Sequence, residues 1–112
     1  MALTQITFNN TTFYIGSGEP RPTSTIAEML CNVLQRPRPS GITLEQMDRY
    51  LEPLRHLRAH ANDLTITVSV DTYEMLCEEL RTFPFLRVDD DVRSACREFL
   101  AHAQRIHDSP TH

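Results

Sequence analysis

His56 and His60 stand four residues apart in a helical pattern, so both imidazoles share a helix face at the spacing of a two-histidine metal site. No glutamate follows His56, no third ligand is placed, and Arg55 and Arg58 add positive charge that disfavours a cation. The pair therefore reads as solvated or partly packed, and the chain is expected to hold neither metal nor cofactor. Asp89, Asp90 and Asp91 form a row of carboxylates that a hard cation would accept. They also open a helical pattern, where unpaired amides and the helix dipole favour negative charge, and that is reason enough for them. Cys31, Cys77 and Cys96 are odd in number, lack metal spacing and lie on apolar stripes, as inert buried thiols do. Gly16-Ser17-Gly18 invites a phosphate-cradle reading. No Gly-Lys-Ser/Thr follows, however, and Pro20 and Pro22 remove amide donors. No serine, histidine and acid are arranged as a triad, and the chain is read as a non-enzyme.

All 11 basic residues are arginine, which excludes Schiff-base chemistry and a Walker lysine. The net charge of −4 makes a polyanion an unfavoured partner. With 112 residues the chain is expected to be one domain, large enough to bury a core without disulfide or metal. No apolar run approaches a membrane span and no signal-peptide core opens the chain, so the expected compartment is the cytosol.

The elements that must position these residues follow from periodicity. Residues 3–15 predict a β-hairpin turning at Asn9-Asn10, with Phe8 opposite Thr11 and Ile6 opposite Phe13. That register places Ile6, Phe8, Phe13 and Ile15 on one face, the face to be buried. Thr25 with Glu28 predicts a capping box for a helix over 24–36, followed by a stiff Arg36-Pro37-Arg38-Pro39 connector. Thr43 with Gln46 predicts another helix over 43–61, whose stripe is Leu44, Met47, Leu51, Leu54 and Leu57. Pro53 inside it predicts a kink or a break. Leu64 to Val70 alternates as a half-buried strand does. Asp71 with Glu74 then opens a helix over 71–83, and the triple aspartate opens a last one over 90–106. Phe83, Phe85, Leu86 and Val88 make the connector between them apolar on nearly every step. Core placement is expected for it, and any exposed part would be a partner-binding surface.

The strand–helix–helix order of residues 64–106 resembles the ribbon–helix–helix DNA-binding proteins. In that family two chains pair their strands and set the outward strand residues in the major groove. The resemblance implies a dimeric regulator reading DNA through Thr65, Thr67 and Ser69. No arginine lies on that strand, the chain is acidic, and more than half of it precedes the motif. Over nearly its whole length the chain also resembles small accessory proteins of bacteriophages. The points of likeness are the Ile-Thr-Phe-Asn hairpin, the helix opening Ile42-Thr43-Leu44-Glu45-Gln46-Met47 and the Phe-Pro-Phe connector. That likeness implies a protein that binds and blocks or redirects another, and it carries over no functional residue.

The expected fold is α+β: a small antiparallel sheet of the hairpin plus strand 64–70, covered by four to five helices. The expected function is a regulatory or inhibitory protein, encoded by a phage or mobile element, that binds a protein partner such as a host protein. No membrane is involved, nucleic acid is disfavoured, and a homodimer stays open. The candidate partner-binding residues are Arg93, Arg97 and Arg105 on the last helix, with Phe83, Phe85 and Arg87 from the connector. The plain alternative for the arginines is a solvated helix face.

Overall fold

The computed structural model describes residues 4–108, with side chains as far as Ala101. The order is β1 (Gln5–Asn9), β2 (Thr12–Tyr14), β3 (Thr23–Thr25), α1 (Ile26–Leu34), α2 (Leu44–Ala59), β4 (Thr65–Ser69), α3 (Val70–Arg81) and α4 (Asp90–Asp108). The class is α+β, as expected.

Strand pairing departs from the expected hairpin. β1 pairs antiparallel with β4, Thr7 opposite Thr67, and β2 pairs separately with β3, Phe13 opposite Ser24. The expected face still holds: Ile6, Phe8 and Phe13 are buried and Ile15 packs against the core. Alternation decides which face is apolar, whereas partner choice depends on which backbone comes alongside. Asn10 explains why the chain does not turn back at Asn9-Asn10. Its amide donates to Leu64 O at 2.9 Å, which continues the β1–β4 ladder. Its side-chain Nδ2 donates to Ala61 O at 2.8 Å and to Asp63 O at 2.9 Å, while Oδ1 accepts from Ala27 N at 2.9 Å. A residue that looked like a turn is instead a buried junction joining β1, the start of α1 and the α2–β4 loop.

α1 is the centre of the core, packing on α2, α3 and α4. Two of the three capping boxes read from the sequence form, Thr25 with Glu28 on α1 and Thr43 with Gln46 on α2, whereas the one expected of Asp71 with Glu74 does not. α2 runs through Pro53 as one helix, so no second helix starts there. Pro53 leaves the carbonyl four residues back without its helical donor and crowds it with its ring. The predicted stripe is buried only at its C-terminal end, Leu54 and Leu57. Leu44 is 73% and Met47 50% exposed, because the first half of α2 projects past the core.

β4 runs into α3 without a loop, so the cap is Ser69 rather than Asp71; its Oγ accepts from Thr72 N at 3.1 Å. At α4, Asp89 caps as expected, its Oδ1 accepting from Asp91 N at 3.1 Å and Val92 N at 3.3 Å. Tyr73, Phe8 and Phe99 lock α3, β1 and α4 together. Phe99 lies 4.9 Å centroid to centroid from each of the other two rings, and the Tyr73 hydroxyl donates to Phe99 O at 2.6 Å. The side chains of α4 beyond Ala101 and the termini at 1–3 and 109–112 lie outside the described residues or side chains.

Candidate functional site

The connector between α3 and α4 is where the core expectation fails. Phe83 is half-buried against the core, but Phe85 is 47% exposed and Leu86 and Val88 are fully exposed. Pro84 follows the end of α3, and among the described residues no element covers the side chains that come next, so they stand in solvent. The connector, the end of α3 and one face of α4 enclose a groove of about 570 Å³. Its floor is apolar: Ile15, Leu80, Phe83, Val92, Cys96 and Leu100. Phe85 stands edge-on to Phe83 at 5.0 Å between centroids and forms one wall. Arg81, Arg87, Arg93 and Arg97 line the same groove.

Five of the six residues singled out by the sequence, Phe83, Phe85, Arg87, Arg93 and Arg97, therefore meet in one place. Arg105 lies outside the described side chains. Arg81 completes the set and carried no signal of its own beyond ending a helix. None of these four guanidinium groups is in an ion pair among the described residues. A chain of net charge −4 thus gathers four of its 11 arginines around one apolar trough. Unpaired guanidinium groups beside apolar surface suit a ligand that brings carboxylates and apolar side chains together.

The mouth of the groove is held by the 16–22 loop. Gly16 N donates to Asp89 Oδ2 at 2.8 Å, and Gly16 O accepts from Arg21 Nη2 at 2.9 Å. Arg21 also pairs with Asp91 at 2.8 Å. The Gly16 amide is therefore engaged by a carboxylate rather than open to a phosphate. Gly16 has φ +63°, and a Cβ there would come within 2.9 Å of Arg87 Nη2, so glycine lets Arg87 lie across the loop. The Gly16 and Val92 amides hold the Asp89 carboxyl below its ordinary value. A folded value below the unfolded one means this contact stabilises fully above the ordinary carboxylate pKa. It is lost as pH falls from that value through the folded one. An acid titration should therefore show the Gly16 amide resonance moving only below the ordinary carboxylate range, and the step should vanish in Asp89→Asn. Movement near the ordinary carboxylate value would show that Asp89 does not hold the loop.

Cys96 lies half-buried in the groove floor, its Sγ 3.6 Å from Met29 Sδ, while Cys31 and Cys77 are buried. Burial pushes all three thiols up, so they stay protonated and behave as small apolar groups.

The remaining candidates have structural work. His56 Nε2 donates to Thr67 O at 2.9 Å on the β4 edge facing away from β1, and His60 Nδ1 pairs with Asp63 at 2.6 Å. No group of three potential metal ligands comes together among the described residues. Thr65, Thr67 and Ser69 are exposed on the outer sheet face, with Thr67 Oγ1 2.7 Å from Thr7 Oγ1. β1 occupies the place that a second chain's strand takes in a ribbon.

Sequence reading missed Glu79. On α3 it is 9% exposed and receives the Tyr50 hydroxyl at 2.5 Å, with Arg36 and Arg38 at 3.4 and 3.5 Å. The arginines of the proline-rich connector thus turn inward to a buried carboxylate. The hydrogen bond to Glu79 raises the Tyr50 pKa. No residue spacing announces this cluster, because its members come from three separate segments.

Among the described residues, no helix is long and apolar enough to cross a membrane. Comparison with protein-family models, with curated proteins and with solved structures finds no match.

Proposed function

We propose that this protein is a small non-enzymatic binding protein, regulatory or inhibitory, that seats an apolar, acidic segment of another protein in the α3–α4 groove. The observation that supports this is the groove itself: an apolar floor, an exposed Phe85–Leu86–Val88 wall and four arginines without ion-pair partners among the described residues. Exposed aromatic and arginine residues around an apolar depression are the composition of binding hot spots. Leaving such surface in water costs free energy that a partner recovers. The whole-chain likeness to phage accessory proteins points to a host protein as the partner.

The test is capture from a host lysate with wild type and with Arg93→Glu/Arg97→Glu in parallel. The expected result is a partner retained by wild type and lost by the double variant, which keeps its helical circular dichroism and melting temperature. A captured partner indifferent to both reversals would place the binding surface elsewhere.

A further inference from the structure

The first half of α2 meets the rest of the chain through Tyr50, which packs on the core and donates to Glu79, and leaves the start of its apolar stripe bare. Between Leu44 and Glu52 it contributes no buried residue, while Leu44 and Met47 stand in solvent on the stripe that continues to Leu54. Glu45, Asp48 and Glu52, all exposed, flank that stripe. It therefore presents the chemistry that the groove is built to receive: apolar side chains bordered by carboxylates. The two surfaces are also neighbours. A second hollow of about 400 Å³ is lined by residues 36–42, by Gln46 and Tyr50 of α2, and by Thr82 and Pro84. Pro84 also lines the arginine-rimmed groove, so the two hollows adjoin at that residue.

From this complementarity we infer that two copies of the chain pair about a twofold axis beside Pro84. Each inserts the Leu44–Glu52 half-helix into the groove of the other. The inference rests on the reading of the groove as a protein-binding surface and goes beyond it by naming a second copy as an occupant. Reciprocity follows from size. A nine-residue half-helix is only about 13 Å long, and stable interfaces bury roughly 1,600 Å² in total. One insertion is too small for that, and two related by symmetry double it. Patches that are complementary and adjacent to an axis close the pair, whereas distant ones would build an open chain. Arg93 and Arg97 then face Asp48 and Glu52 of the second copy, with Leu44 and Met47 over Phe83 and Leu100. A dimer of this kind hides the apolar trough until a partner displaces one half-helix.

The experiment is light scattering with size exclusion across a concentration series, on the full chain and two charge-reversed variants. Wild type should double its mass as concentration rises. Arg93→Glu/Arg97→Glu and Asp48→Arg/Glu52→Arg should each stay monomeric, with self-affinity weakened at least tenfold. Mixed in equal amounts, the two variants should recover a dimer, because each contact again joins opposite charges; recovery also shows that both are folded. A wild type monomeric at every concentration would overturn the inference, even where Arg93→Glu/Arg97→Glu loses a captured partner and the groove reading stands. A dimer that survives either reversal, or a mixture that stays monomeric, would overturn it equally.

Discussion

Asn10→Asp should lower the unfolding free energy by about 3 kcal/mol or more, whereas Asn9→Ala should change it by no more than about 0.5 kcal/mol. The side chains are adjacent, but Asn9 is exposed and Asn10 is 8% exposed with its amide group fully engaged. The Asn10 Nδ2 is the donor for two carbonyl oxygens, Ala61 O and Asp63 O. In aspartate the corresponding atom is a carboxylate oxygen, which turns two hydrogen bonds into two contacts between acceptors in a buried site. Asn10→Ala should be similarly costly for a different reason, since it leaves both carbonyls and Ala27 N without partners. Denaturant unfolding measures all three. Equal midpoints for Asn9→Ala and Asn10→Asp would mean that Asn10 is a surface turn and that the junction does not form.

Two phenylalanines separate the fold from the site. Phe99→Ala should cost about 3–5 kcal/mol, the range for truncating a buried aromatic ring. Phe99 is 1% exposed and meets Phe8 and Tyr73, so its removal opens a cavity where β1, α3 and α4 join. The Tyr73 hydroxyl bond survives, because its acceptor is a backbone carbonyl. Phe85→Ala should cost less than about 1 kcal/mol, as the ring is 47% exposed and leans on Phe83 alone among the aromatic contacts. Its effect should fall on partner capture instead. Thermal melts of the two variants, read beside capture, distinguish the roles. A large loss of stability from Phe85→Ala would make the connector part of the core.

Local signals were strong in this chain because they depend on few neighbours. Each capping box is written within four residues, and both formed where Thr25-x-x-Glu28 and Thr43-x-x-Gln46 stand. The apolar face of Ile6, Phe8 and Phe13 followed from a period of two whatever strand lay alongside. The same reasoning misplaced the cap of α3. Ser69 belonged to the strand by pattern, and a chain that passes from strand to helix without a loop leaves no turn residues to mark the change. The candidate site was legible in its parts. Phe83, Phe85, Arg87, Arg93 and Arg97 were chosen as an apolar connector and an arginine face, but their enclosure of a common groove was not written in their spacing.

Helix caps and periods of 2 and 3.6 residues are properties of contiguous chain, so the four helices and strands β1, β2 and β4 were legible in the sequence, whereas β3 at Thr23–Thr25 was not. Tertiary packing alone set the strand partners, because main-chain N–H and C=O groups recur along the chain and carry no address. It also decided how far along a stripe burial extends. The α2 stripe is covered at Leu57 and bare at Leu44, although both are leucines on one stripe of one helix. The same holds for Asn10 and Glu79, whose polar groups are tolerated inside only because carbonyls, a hydroxyl and two arginines from distant segments arrive to meet them.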